Sequence, residues 1–255
     1  MHAIVTDDKG RYVDDLAADR FVVRDGGLAM EIRAFENRTA SLSCALLLDT
    51  SLSMESALPP LKSAALKLIA ALRPDDSVAI YSLSGGFSEL QAFTKDKSAA
   101  TRAVLRAGLG GTTALYDALV RVNRDLEART GKKVIVVFTD GEDNASTLTA
   151  ETAIRRAKTT GVPLYTIAQG HALRQQALLK ELSGMSQSTG GLAFTIQFAE
   201  QIGGVFESIL QDLLHGYLLA FQPLASDEHA WRPIAVSLRQ GGNRKIRARE
   251  GYFPE

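Results

Sequence analysis

The middle of the chain alternates between short runs that are apolar almost throughout and longer stretches that carry a single apolar stripe. Residues 42–48 (LSCALLL) and 134–138 (VIVVF) have no polar face, which marks strands buried on both sides. After the first run, Leu61, Ala65, Leu68, Ile69 and Leu72 recur at helical spacing, and Pro59 and Pro60 suit the first turn of that helix but not its interior. Residues 77–83 (SVAIYSL) predict the next strand, and Gly85-Gly86 turns the chain into an antiparallel edge at 88–93. A short helix is predicted over 99–106, and a second carries Leu115, Leu119, Val122 and Leu126 on one stripe. Beyond 134–138 the pattern predicts helix 150–159, strand 162–168, helix 174–182, strand 192–196 and a helix with Ile202, Val205, Phe206, Ile209 and Leu213 inward. Apolar strands separated by helices imply a doubly wound α/β fold, a mostly parallel Rossmann-like sheet covered on both faces.

The two ends follow another period. Residues 21–24, the turn Asp25-Gly26-Gly27 and residues 28–35 form a hairpin pattern, with Leu28, Met30 and Ile32 alternating with Ala29, Glu31 and Arg33. Near the other end come YLLAF at 217–221, then Ile234, Val236 and Leu238 alternating with polar or small residues, then KIRAR at 245–249. Neither end has enough strands to bury a face alone. The expected organisation is one small β-domain built from residues 1–37 and 217–255, with an α/β domain at 38–216 inserted between them. Gly203-Gly204 interrupts the last helix at a cost in stability, and close packing against a neighbour is the expected reason.

Composition narrows the function classes. Of 255 residues, 45% are apolar, and 29 basic residues balance 29 acidic ones, so no polyanion-binding surface and no nucleic-acid partner are expected. No apolar run is long enough to span a bilayer. Cys44 is the only cysteine, which excludes an intrachain disulfide and a thiolate metal cluster and leaves it as a small buried hydrophobe. The opening residues MHAIVTDDKG lack the basic and apolar regions of a secretory signal.

Ligands of doubly wound sheets gather at the carboxyl ends of the strands. Three stretches put oxygen donors there: Asp49, Ser51 and Ser53 after the first apolar strand; Gly110-Gly111-Thr112-Thr113 before the helix that carries Leu115; and Thr139-Asp140-Gly141 after VIVVF. Two aspartates, two serines and a threonine form an all-oxygen set without sulfur or imidazole, suited to a hard cation such as Mg²⁺. In order and separation, Asp49-Thr50-Ser51-Leu52-Ser53-Met54, Thr113-Ala114-Leu115-Tyr116-Asp117 and Thr139-Asp140-Gly141-Glu142-Asp143 resemble the metal-ion-dependent adhesion site (MIDAS) of von Willebrand factor A (VWA) domains. The resemblance implies metal ligation by Asp49, Ser51, Ser53, Thr113 and Asp140, with Mg²⁺, Mn²⁺ or Ca²⁺ bound and the sixth position taken by a Glu or Asp of a protein partner. Thr112 is the alternative to Thr113, because relatives often read Gly-Gly-Thr-Ala-Leu-Tyr-Asp. Leu52 stands where a glycine is common. The flanks, VTDDKGRYVDDLAADRFVVRDGG and YLLAFQP with WRPIAVSL and KIRAREGYF, resemble the VWFA-related proteins first defined in Acidobacteria. That group is generally exported, which implies a periplasmic or secreted setting and a trimmed start; a cytoplasmic setting stays open.

Other polar positions carry blander expectations. Glu142, Asp143 and Asn144 read as a solvated acidic turn, and His171 as a loop histidine. His2, His215 and His229 lack ligand spacing. Leu52, Met54 and Tyr116 are expected on the rim of the site. Only His171, Glu142 and Asp143 could serve as a base, and no Walker A loop, G-x-S-x-G or HExxH is present, so no enzymatic activity is expected. The expected function is a non-enzymatic, metal-dependent protein-binding module. The alternative is a cytosolic VWA subunit acting with an AAA-type ATPase in complex assembly. Some VWA domains shift their last helix on ligation, and here that helix feeds the β-domain through His215-Gly216-Tyr217.

Overall fold

The computed structural model describes residues 1–37, 40–140, 143–223 and 230–254. Its strands, in chain order, are β1 (His2–Thr6), β2 (Phe21–Asp25), β3 (Leu28–Met30), β4 (Ile32–Glu36), β5 (Leu42–Leu48), β6 (Ser77–Ser82), β7 (Ser88–Thr94), β8 (Lys132–Thr139), β9 (Leu164–Ala168), β10 (Ala193–Thr195), β11 (Tyr217–Phe221), β12 (Arg232–Leu238), β13 (Lys245–Ala248) and β14 (Gly251–Tyr252). The helices are α1 (Leu58–Ala71), α2 (Lys97–Arg106), α3 (Leu115–Glu127), α4 (Ala150–Thr160), α5 (Gln176–Thr189) and α6 (Ile202–His215).

Six strands form the central sheet in the order β10-β9-β8-β5-β6-β7. All neighbours are parallel except β6 and β7, so β7 is the antiparallel edge that the sequence predicts. Side chains alternate between two cores, as the period of a strand requires. Cys44, Leu46 and Leu48 face α1, α2 and α6, while Ala45 and Leu47 face α3, α4 and α5. Pro59 and Pro60 sit in the first turn of α1, and the Asp96 side chain accepts from Ser98 and Ala99 N–H to start α2. The predicted helix at 174–182 begins with a tight turn, Gly170–Arg174, and continues to Thr189.

The chain ends build two further four-stranded sheets, β13-β1-β11-β4 and β14-β12-β2-β3. They share a core of Ala3, Val5, Phe21, Val23, Tyr217, Leu219 and Ile234. Two details differ from the sequence reading. β1 carries no alternation that would announce it, yet it pairs with both β11 and β13. The second hairpin arm is not one strand: Leu28–Met30 pairs with β2, and beyond Glu31 the chain crosses to the other sheet, where β4 pairs with β11. Splitting the arm places Met30 and Ile32 against the shared core from different sheets.

Buried polar side chains tie these sheets to the α/β layers. Asp212 on α6 accepts from Tyr12 OH (2.9 Å), from Tyr165 OH on β9 (3.0 Å) and from the Arg247 guanidinium on β13. Tyr12 stacks on His215, whose Nδ1 lies 2.6 Å from an Asp14 carboxylate oxygen. Gly190 ends α5 at a φ of +83°, and a Cβ there would stand 2.8 Å from the Ala248 backbone, so the close approach of β13 requires glycine. Gly203 and Gly204 behave otherwise. A Cβ at either would meet nothing within 4 Å, so the expected close packing is absent and both border an open groove beside Ala64 and Leu68 of α1. No steric demand accounts for the pair. No helix among the described residues is long and apolar enough to cross a membrane.

His2 supplies a stability test. Burial, reinforced by Lys132 and Arg247, pushes its imidazole from 6.5 down to about 3, so the folded chain keeps it neutral while the unfolded chain protonates it. The unfolded state therefore binds the extra proton between those two values, and stability falls as pH drops through that window. Urea melts from pH 7 to pH 4 should show His2→Leu with a shallower pH slope than wild type, by up to about 1.4 kcal/mol per pH unit. Parallel slopes would mean His2 is not the group responsible.

Candidate metal centre

The registers of the central sheet bring three strand ends level. Leu48 of β5 lies opposite Phe138 of β8 and Ser82 of β6, and Thr139 lies opposite Ala168 of β9. One residue later, Asp49 N–H donates to Phe138 O (2.9 Å), so the chain leaving β5 stays against β8 before it turns. The Asp49 carboxylate is fully buried. Its Oδ1 accepts from Ser51 N–H (3.0 Å) and lies 3.4 Å from the Thr113 hydroxyl, while Oδ2 accepts from the Thr139 hydroxyl (2.7 Å). Asp140 follows Thr139, is 3% exposed, and its Oδ1 is buried without a hydrogen-bond partner among the described residues. Buried carboxylate oxygens are nearly always satisfied, so this one demands an explanation. Burial first, and the charge of Asp140 in addition, raises the Asp49 carboxyl above its usual range, against the opposing effect of its hydrogen bonds.

The hydroxyls converge on the same place. Ser51 Oγ and Ser53 Oγ are 3.0 Å apart, the second on the tight turn Leu52–Met54. Ser51 pairs with Gly110 across an isolated parallel bridge, and Gly110 N–H donates to Thr50 O (2.9 Å). A Cβ on Gly110 would stand 2.2 Å from Ser84 Oγ, so a glycine suits the close approach of this loop to the segment after β6. Of the two threonines, Thr113 is buried and points its hydroxyl at Asp49, whereas Thr112 is exposed.

The acidic turn after β8 is not merely solvated. Asn144 Oδ1 accepts from Thr113 N–H (2.8 Å), and the Asn144 and Ala145 N–H groups both donate to Thr113 O (3.1 Å each). Asp143 accepts from Tyr116 N–H (2.9 Å) and from the Ser146 hydroxyl and N–H, and so braces the start of α3. Asp117 holds Thr147 and Leu148 N–H in return. These braces escaped the sequence reading because acidic and amide side chains in a turn look alike whether they face water or a neighbouring loop. Gly141, Glu142 and His229 lie outside the described residues.

The expected rim divides. Leu52 is 66% exposed, and Tyr116 is half-buried with its hydroxyl 3.2 Å from Glu181. Met54 does not belong to the rim: it is fully buried in the α1 core, and its sulfur accepts from Gln169 Nε2 (3.3 Å). His171 is exposed and turns toward Gln175, with 2.9 Å between Nδ1 and Nε2.

The donor set fits a hard cation. Two buried carboxylates lack a basic partner in the hydrogen bonds they make, one carboxylate oxygen is unmet, and three hydroxyls stand around them. Among the described residues no group of three or more His, Cys, Asp or Glu forms a metal cage, so a cation here depends on hydroxyls and on oxygens from outside.

Comparisons with known proteins agree on the fold. The structure is similar to the vWF domain of the type V pilus tip protein Mfa5 from Porphyromonas gingivalis, at TM-score 0.59 and 15% identity over 69% of this chain and 95% of that one. It is also similar to the conserved hypothetical protein BatB from Bacteroides thetaiotaomicron, at TM-score 0.55 and 16% identity, over 68% and 97%. The open conformation of the pilus adhesin SpaC from Lactobacillus rhamnosus GG matches at TM-score 0.60 and 13% identity, over 82% of this chain but 36% of that one. No curated protein matches by sequence. The family model for the von Willebrand factor type A domain matches residues 44–208, well over half of the chain, and the chain belongs to that family.

Proposed function

We propose that this protein is a non-enzymatic, divalent-cation-dependent protein-binding module whose site is the MIDAS of its VWA domain. The observation that carries the reading is the buried Oδ1 of Asp140, without a hydrogen-bond partner among the described residues, beside the buried carboxylate of Asp49. Asp49 and Asp140 would hold the ion, with the hydroxyls of Ser51, Ser53 and Thr113 completing the protein's share. When bound, Mg²⁺ (or Mn²⁺ or Ca²⁺) supplies positive charge and an open position for a carboxylate from a protein partner. Two carboxylates only balance such an ion, so an incoming Glu or Asp is not repelled. Leu52, on the first loop, and Leu109, 38% exposed just before Gly110, offer that partner apolar contacts beside its acid.

The remaining side chains support binding over catalysis. His171 is exposed and bonded through Nδ1 to Gln175, and Asp143 is occupied in holding Tyr116 and Ser146; Glu142 lies outside the described residues. The Mfa5 and SpaC structures are, by their descriptions, a pilus tip protein and a pilus adhesin, which fits an extracytoplasmic interaction role for this chain. The sheets built by the chain ends lie outside the matched stretch.

Thermal melts in EDTA and in excess Mg²⁺ or Mn²⁺ test the site. At about a hundred times its dissociation constant a bound ion should stabilise wild type by roughly 2.7 kcal/mol, and Asp140→Ala should abolish the response. A wild-type melt that ignores both metals, or an Asp140→Ala melt that still responds, would refute the assignment. Asn144→Ala keeps all five oxygen donors but removes the acceptor of Thr113 N–H. It should weaken the metal response by about 10–100-fold, read as the Mg²⁺ concentration at half-maximal stabilisation.

A further inference from the structure

We infer that a second ligand site lies at the opposite end of the central sheet, a pocket for a small oxyanion such as phosphate or sulfate. Ser43 near the start of β5 and Ser77 at the start of β6 are both about 5% exposed, and their hydroxyls are 3.2 Å apart. The Arg129 guanidinium, from the loop between α3 and β8, donates to Ser77 Oγ through Nη2 (2.9 Å) and to Ser43 Oγ through Nε (3.4 Å). Its other side lies over the Phe93 ring, 4.8 Å from the centroid. Ser43, Ser77 and Arg129 line a cavity of about 290 Å³ together with Ser41, Asp75, Lys95 and Thr130.

Counting protons shows what the cavity lacks. The two serines have two hydroxyl protons and one hydrogen bond between them, so one proton has no protein acceptor among the described residues. The Arg129 Nη1 group likewise has no acceptor, and no carboxylate pairs with Arg129 among the described residues. The nearby acids do not fill the role. Asp76 is held by Arg73 and by Leu42 N–H, and Asp75 lies on the exposed rim, 3.3 Å from Lys95. Donors therefore exceed acceptors around a guanidinium whose plane is already fixed by two serines and a ring. Such a preset fork suits an oxyanion, which accepts several charge-assisted hydrogen bonds at once. β5 joins this pocket to the candidate metal centre: Asp49 lies six positions beyond Ser43, a distance of about 20 Å.

Thermal melts of the whole chain in EDTA test the pocket without any divalent ion. Orthophosphate, sulfate, phenyl phosphate and acetate are each compared with chloride at equal ionic strength. Phosphate and sulfate should raise the melting temperature saturably, and Arg129→Gln and Ser77→Ala should each weaken the response by about tenfold or more. A matching response to phenyl phosphate would identify a phosphate group carried on a larger molecule; its absence would identify the free ion. A wild-type melt that is the same in phosphate, sulfate and chloride overturns the inference, as does a response to acetate alone. So does a phosphate response that both variants leave intact, which would place the anion elsewhere. Should Arg129→Gln fail to fold, Ser77→Ala and Lys95→Gln decide by the same criterion.

Discussion

A carboxylate without solvent, at the tip of the most central strand, sets the terms for the rest of this molecule. An ionised Asp49 in an apolar sheet costs several kcal/mol unless its oxygens are met. Its donors come from three separate places: the turn that follows it (Ser51 N–H), the end of β8 (Thr139 hydroxyl) and the loop before α3 (Thr113 hydroxyl). These meet only because β5 runs between β6 and β8 with their carboxyl ends level. Thr50 continues the pattern on the other side, its hydroxyl 2.9 Å from that of Ser82 at the end of β6. The sheet order is thus what allows one buried acid to organise three loops.

A second buried acid joins the α/β layers to the sheets from the chain ends. Asp212 takes hydrogen bonds from the N-terminal segment (Tyr12), from β9 (Tyr165) and from β13 (Arg247). It lies near the end of α6, one turn before His215. The start of the same helix carries Gly203 and Gly204 against an open groove. α6 is therefore held by a buried polar cluster at its carboxyl end and by the apolar packing of Ile202 and Phe206 at its amino end. Sliding it along its axis would break every partner of Asp212 at once, so any rearrangement of this helix has to include β13 or leave that end fixed.

Much of this was legible in the sequence, for reasons that can be named. Strands such as β5 and β8 declare themselves because burial on both faces leaves no room for polar residues, and α3 declares itself because its stripe repeats at the helical period. The loops of the site stood out because their oxygens interrupt apolar runs at strand ends. What stayed hidden depends on partners far along the chain. β1 is a strand because β11 and β13 flank it, and the hairpin arm splits at Glu31 because two sheets compete for it. Met54 looked like a rim residue by position, but the tight turn at Leu52–Met54 sends it inward while Leu52 stays out. Asn144 and Asp143 gave no signal, since a side chain that braces a loop has the same composition as one that faces water.

Formal neutrality also concealed a polarity. The 29 acidic and 29 basic residues cancel over the whole chain, yet they do not cancel along β5. At its carboxyl end, Asp49 and Asp140 bring acceptors that exceed their donors, with one oxygen unmet. At its amino end, Arg129, Ser43 and Ser77 bring donors that exceed their acceptors. The carboxyl-end imbalance is buried, where an unmet group costs most, and the amino-end one lines a cavity open to a ligand. A parallel sheet favours this outcome, because crossover helices cover both faces and leave the two strand ends as the places where polar side chains converge. Acceptors in excess call for a cation and donors in excess for an anion, so the proposed metal centre and the proposed oxyanion pocket follow from the same accounting applied to opposite ends of one strand.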